Sequence, residues 1–180
     1  GSAQLLARAG IGKLILIDRD VVELSNLQRQ SLFNEDDIGK AKAAQAKEHL
    51  EKINSDIKVD FFIDDLNYKN IDKLIPINYS NSKKNNKQNN KTLKNNIDII
   101  LDCTDNLETR FLINDFCIKT RIPFIYASAV GSKGYIFNIT PIRNNPCLRC
   151  FLKEAAQLDT CDTVGVLNAI TNLISSIQVN

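Results

Sequence analysis

Short continuous apolar runs alternate along this chain with segments whose apolar residues recur every three or four positions. Leu14, Ile15, Leu16 and Ile17 follow Lys13 without a polar break, the pattern of a strand buried on both faces. Before them, Leu5, Leu6, Ala7 and Ala9 read as the end of an apolar helix, stopped by Gly10 and Gly12. After them, Glu35, Asp36 and Asp37 suit a helix N-terminus. Ile38, Ala43, Ala46, Leu50 and Ile53 then fall at helical spacing, which predicts a helix over 35–53. A second strand is predicted over 57–63, and a short helix over 66–75 ended by Pro76. A third strand over 97–101 precedes a helix over 107–120, and a fourth covers 123–127. A fifth covers 135–139, and 163–178 reads as a largely apolar helix. Strands alternating with helices imply an α/β fold: a Rossmann-like, mostly parallel sheet with helices on both faces and right-handed crossovers.

Residues 78–96 break the pattern. Thirteen of the 19 are Asn or Lys, too polar to bury the apolar area that ordering requires, so a disordered surface insertion is expected. The insertion also distorts the charge. The formal net charge is +2, but Lys83, Lys84, Lys87, Lys91 and Lys94 fall in or beside it with no acid, and the rest of the chain is net acidic. Basic residues are not interleaved with aromatics, which argues against a nucleic-acid partner. The whole chain, 180 residues and 20.2 kDa, is the size of one domain, 1–180. No apolar run is long enough for a membrane helix, and no basic segment followed by an apolar one opens the chain, so a cytoplasmic protein is expected. Methionine is absent, which reads as a processed chain or a fragment. Five cysteines, two of them in a Cys-x-x-Cys, point to metal or thiol chemistry rather than a disulfide framework.

In open parallel sheets, ligands bind beyond the carboxyl ends of the strands, and three polar clusters fall there. Asp18 lies one residue past a strand, where an acid can accept hydrogen bonds from ribose hydroxyls; a solvated loop acid is the alternative. Ser25, Asn26, Leu27, Gln28, Arg29 and Gln30 form the second cluster, with Lys42 further on. A guanidinium fork and an ammonium can neutralise a triphosphate, or be ordinary surface charges. Asp102, Cys103, Thr104, Asp105 and Asn106 follow the third strand. Magnesium bound with ATP needs hard oxygen ligands, and Asp105 can supply one. Asn106 can cap the following helix.

Taken together these stretches resemble the ThiF/MoeB/HesA family, the E1-like adenylyltransferases that activate ubiquitin-like sulfur carriers. The matching residues are Asp18 to Asp20, Ser25 to Gln30, Lys42, Leu101 to Asn106 with Thr109 and Arg110, Ala129 to Gly131, Cys147 with Cys150, and Thr160 to Gly165. The resemblance implies a ThiF-type nucleotide-binding domain, truncated at both ends, in which Asp18 holds the ATP ribose. Ser25, Asn26 and Arg29, helped by Lys42, would hold phosphates. Asp105 would take magnesium or orient the α-phosphate, with Asn106 beside it. Gly1 would be the last glycine of a phosphate-cradling loop. The implied reaction is ATP-dependent adenylation of a carrier's C-terminal glycine. Thiocarboxylation for thiamine or molybdopterin synthesis follows, with sulfur from a donor protein and the enzyme a homodimer.

Cys147 and Cys150 have the spacing of half a tetrahedral zinc site, and the family completes it with a second Cys-x-x-Cys that this chain lacks. Two free thiols in a turn are the alternative. Cys161, in a polar loop, is either a covalent carrier or sulfur link or an ordinary loop thiol. Cys103 and Cys117 are expected in the core, and His49 is expected exposed and not a ligand. Competing functions are a non-catalytic E1-like binding module, an NAD-dependent Rossmann oxidoreductase, and a relative that adenylates a tRNA base.

Overall fold

A computed structural model describes residues 1–75, 77–80, 92–95, 97–142, 145–152 and 165–180, with the backbone alone at 77–80 and 92–95. The elements, in order, are α1 (Ser2–Arg8), β1 (Lys13–Ile17), α2 (Leu24–Leu27), α3 (Lys42–Ile53), β2 (Lys58–Phe62), α4 (Ile71–Leu74), β3 (Ile77–Ser80) and β4 (Thr92–Asn95). They continue with β5 (Ile100–Leu101), α5 (Leu107–Thr120), β6 (Phe124–Val130), β7 (Lys133–Ile139), α6 (Leu148–Phe151) and α7 (Asn168–Gln178). The class is mixed α/β with parallel pairing, as the alternation of runs implies.

The chain divides into two compact units. The first comprises Gly1–Leu66, Ala127–Ile136 and Leu158–Asn180. Here β1 and β2 pair in parallel, Lys13 opposite Lys58 and Ile17 opposite Phe62. Ala7 of α1, Leu50 of α3, Ile57 and Val59 bury completely or nearly so, with Leu14, Leu16 and Ile53 packed against them. Helices α1 and α3 thus share one apolar core with the β1–β2 pair. Ser2 of α1 donates to Gln178 of α7 at 2.7 Å, a buried bond between residues 176 apart in sequence. Gly134 of β7 lies so close to α7 that a Cβ there would sit 2.3 Å from Ile174.

The second unit comprises Asn67–Tyr126 and Phe137–Gln157. Within it β5 pairs in parallel with β6, Ile100 opposite Phe124 and Leu101 opposite Ile125. The sheet continues in the order β5-β6-β7, the last two strands joined by two residues, a link short enough only for an antiparallel return. Phe116, Cys117, Ile122, Phe124, Tyr126 and Leu148 are buried. β3 and β4 pair antiparallel, Ile77 opposite Asn95. The two ends of the Asn/Lys-rich stretch 78–96 therefore belong to a hairpin, while 81–91 and 96 lie outside the described residues.

Several boundaries differ from the sequence reading, each for a local reason. The helix expected over 35–53 begins at Lys42. Glu35–Asp37 is a separate 3₁₀ turn, and Gly39 at φ 82° reverses the chain so that Val21 can bridge Ala41. The helix expected over 66–75 is reduced to α4, because the Asn67 and Asn70 side chains accept the Lys69 and Asn67 amides in turns of their own. The third strand shrinks to Ile100 and Leu101, since its ladder runs out at Pro123, which has no N–H to donate. β1 is half-buried rather than fully buried, having one paired edge among the described residues. The last helix starts at Asn168 because Gly165 and Leu167 bond across to Gly131; 163–164 lie outside the described residues.

Candidate functional site

The carboxyl end of β1 gathers an acid pair and a lysine. The Asp18 amide extends the β1–β2 ladder by donating to Phe62 O at 3.2 Å. Asp18 Oδ1 accepts the Asp20 amide at 2.9 Å, which turns the chain away from the sheet. Lys42, the first residue of α3, donates from its backbone to Asp20 O at 2.8 Å and from Nζ to Asp20 Oδ2 at 3.1 Å. Asp18, Asp20 and Lys42 are thereby brought together. A lysine in the first turn of a helix opposes the helix dipole, and the Asp20 carboxylate offsets that. Its ammonium has two further protons to donate.

Beside this lies α2. Asn26 is buried, its Oδ1 accepting the Glu23 amide at 3.2 Å and its Nδ2 facing Ser25 Oγ at 3.4 Å. Ser25 Oγ donates to Glu23 Oε2 at 3.1 Å. Ser25 and Asn26 thus hold the turn. Arg29 donates Nη1 to Ser25 O at 3.0 Å, which leaves the rest of its fork available to an anion. The connection from Arg29 to Lys42 is pinned by Asp37. This buried carboxylate accepts the Asn34 amide at 2.9 Å and meets His49 Nε2 at 2.8 Å. Burial works to raise the Asp37 pKa, but the Asn34 amide, His49 and Lys40 outweigh it and hold the carboxyl below its ordinary value. His49, expected exposed, is half-buried because it is drawn into this contact. Gly1 is the N-cap of α1, its carbonyl accepting the Gln4 and Leu5 amides, and a Cβ there would lie 2.2 Å from Ser175 Oγ.

The second unit carries the loop after β5. Asp102 is buried, and its Oδ1 accepts both the amide and the hydroxyl of Thr104, at 2.8 and 2.7 Å. Burial raises the Asp102 pKa, against the pull of Arg110 and Thr104. Asn106 caps α5 by accepting the Thr109 amide at 2.8 Å. Asp105, between them, is exposed and engages no side chain among the described residues. Cys103 is exposed, not in the core, because it stands in this loop beyond the strand. Cys117 is buried, and burial pushes its thiol up to about 12.

The sulfurs of Cys147 and Cys150 lie 3.9 Å apart. A tetrahedral zinc with bonds of about 2.3 Å has an edge of about 3.8 Å, so this pair fits one edge of such a site. Among the described residues no third Cys, His, Asp or Glu joins them. The pair is held by α5: the Leu148 amide donates to Asn114 Oδ1 at 2.9 Å, and Arg149 grips Asp115 with bonds of 2.8 and 2.6 Å. The Arg149 guanidinium also lies over Phe111, 4.6 Å from the ring centre. Cys161 lies outside the described residues.

Gly1, Asp18, Ser25, Asn26, Arg29 and Lys42 therefore belong to one unit, and Asp105, Asn106, Cys147 and Cys150 to the other. Sequence reasoning gave no role to Asp20 or Asp102, and read Asp37 only as an acid at a helix N-terminus. The spacing of Asp18 and Asp20 on either side of Arg19 was the one available signal for the first of these. Asp37 and Asp102 find partners through side-chain reach, which spacing does not reveal.

Comparison with known proteins agrees with the motif resemblance. The ThiF family model matches residues 2–180. The sulfur carrier protein ThiS adenylyltransferase of Bacillus subtilis is 40% identical over 182 residues, covering 99% of this chain and 48% of that protein. Its Escherichia coli counterpart is 33% identical over 181 residues, covering 98% of this chain and 63% of that protein. The crystal structure of E. coli MccB with AMPCPP and MccA aligns with a TM-score of 0.75 at 25% identity, over 99% of this chain and 49% of that one. The chain spans about half the length of the Bacillus relative and of MccB. With its motifs in order and the family model matched from residue 2 to 180, the chain belongs to the ThiF family.

Proposed function

We propose that the protein adenylates the C-terminal glycine of a ubiquitin-like sulfur-carrier protein. A carboxylate oxygen of the glycine attacks the α-phosphorus of ATP. A P–O bond forms, the bond to pyrophosphate breaks, and acyl-adenylate results. No strong general base is needed, since the carboxylate is already ionised at neutral pH. The observation that supports this best is the Asp18–Asp20–Lys42 cluster at the carboxyl end of β1 in a ThiF-family chain. A nucleotide's ribose and phosphates are recognised at this place in open α/β folds. The Bacillus and E. coli relatives are named for the same reaction on a carrier called ThiS.

In this reading Asp18 accepts the ribose hydroxyls. Arg29 and Lys42 draw charge from the phosphates, Ser25 and Asn26 hold the turn that presents Arg29, and the Gly1 backbone cradles phosphate. Asp105, an exposed carboxylate without a side-chain partner among the described residues, suits magnesium, with Asn106 beside it. Magnesium, when bound, would spread the negative charge of the phosphates. Cys147 and Cys150 would supply two thiolates to a structural zinc. Sulfur would then replace AMP, delivered by a donor protein, giving the thiocarboxylate for thiamine or molybdopterin synthesis, with Cys161 as a covalent link. The enzyme would work in the cytoplasm as a homodimer.

The test is carrier-dependent ATP–pyrophosphate exchange against a panel of carriers ending in Gly-Gly. Exchange with one of them is expected. Losing one charge-assisted phosphate contact in Arg29→Ala should remove about 1.5–3 kcal/mol of stabilisation, roughly a ten- to hundredfold drop in rate. Carrier binding without exchange would make the protein a binding module. Tight NADH binding without ATP binding would make it an oxidoreductase.

A further inference from the structure

Among the described residues Asp105 has no side-chain partner to aim it, so the direction of its carboxylate follows from the backbone that carries it. That backbone is held on both sides. Downstream, Asn106 caps α5. Upstream, the peptide joining Thr104 to Asp105 has its carbonyl oxygen clamped by Arg110 Nη2 at 2.6 Å. Arg110 reaches back from the first full turn of α5 and is itself nearly buried. Its Nε faces Asp102 Oδ2 at 3.3 Å, and its plane lies over the Tyr126 ring, 5.3 Å from the centre. Asp102 in turn takes the Thr104 amide and hydroxyl. Thr104 is therefore gripped at its amide, its hydroxyl and its carbonyl by one acid–arginine pair.

We propose that Arg110 is a positioning residue: by fixing the plane of the Thr104–Asp105 peptide it sets the direction in which the Asp105 carboxylate is presented to magnesium. The inference rests on the reading of Asp105 given above. A buried carboxylate–guanidinium pair contributes little net stability compared with an apolar pair of the same volume. What it supplies is direction, because the guanidinium fork is planar and its donors are fixed relative to one another. Lysine would keep the charge opposite Asp102 but would lose both the fork and the flat face over Tyr126.

The test compares Arg110→Lys, Asp105→Asn and the double variant in the intact chain. Two quantities are read: carrier-dependent pyrophosphate exchange, and calorimetric binding of ATP, without carrier, in rising magnesium chloride. Partners that orient a metal ligand typically carry a ten- to hundredfold effect, so Arg110→Lys should slow exchange about tenfold and raise the magnesium concentration for half-saturation about tenfold. The melting temperature should stay close to that of the parent. Because Arg110 acts through Asp105, the double variant should be no worse than Asp105→Asn alone. If Arg110→Lys leaves both readouts at the parental level, or if its loss multiplies with that of Asp105→Asn, the proposal is wrong. Asp105→Asn with parental exchange and parental magnesium dependence instead overturns the reading of Asp105, and the role of Arg110 falls with it. Should Arg110→Lys not fold, Tyr126→Leu takes its place under the same outcomes, since it removes the ring beneath the guanidinium and spares its hydrogen bonds.

Discussion

Lys42 and Asp20 form an ion pair in which the carboxylate is more than half exposed, at 54%. Such pairs contribute about 0–1 kcal/mol to stability. Lys42→Ala should therefore lower the urea-unfolding free energy by less than about 1 kcal/mol, while exchange falls roughly ten- to a hundredfold. A stability loss as large as the loss of exchange would assign the lysine to the fold instead. Asp37 makes the opposite kind of contribution. Its pKa is lowered in the folded state. Its stabilisation is therefore present above the unfolded carboxylate value of about 3.9, and is lost as pH falls through the lower folded value. Asp37→Asn should be less stable than the parent at neutral pH, and the gap in urea midpoints should close on acidification through that window. Of the candidate site residues, Asp18 was legible because it follows an apolar run that ends as a strand, whereas Arg29 and Lys42 were named for their charge and for the family resemblance. The partners of Asp37, Asp102 and Arg110 were not legible. Each is a charged residue that the chain buries against a partner, and burial of a charge leaves no mark in an apolar pattern.

Helix α5 was legible from its start: Asn106, placed just beyond an apolar run, marked the N-cap of the helix expected over 107–120. The segment 35–53 was not: Ile38 stands five residues before Ala43, a step that does not share a helix face, and the reversal at Gly39 falls in that gap. α5 ends on Arg121 in the left-handed region, at φ 61°. A residue with a Cβ is disfavoured there and glycine is not. Arg121→Gly should raise stability by about 0.5–1 kcal/mol, read as a higher denaturant midpoint with an unchanged slope. At the other end, Asn106→Ala should lower stability by about 1 kcal/mol through the lost cap. If Asn106 also sits beside the nucleotide, exchange will fall further than that figure accounts for.

At the scale of the molecule, the α/β class followed from the alternation of runs. The division into two units did not, because it depends on which distant segments rejoin: 127–136 and 158–180 return to the first 66 residues. In the first unit this return depends on a glycine. Gly134→Val would force a side chain into Ile174, at an overpacking cost of about 1–3 kcal/mol. Ile174→Val in the same chain should recover part of the loss, and thermal melts of the two single variants and the double variant measure the coupling. The second unit is organised around α5, which holds the Asp105 loop through Arg110 and the cysteine pair through Asn114 and Asp115. No loop separates the two grips, so their relative phase is a property of helical pitch alone. One residue inserted between Arg110 and Asn114 would rotate one grip about 100° from the other around the axis. The distance in sequence between the acidic loop and the thiols can drift freely; the four-residue step between their anchors cannot.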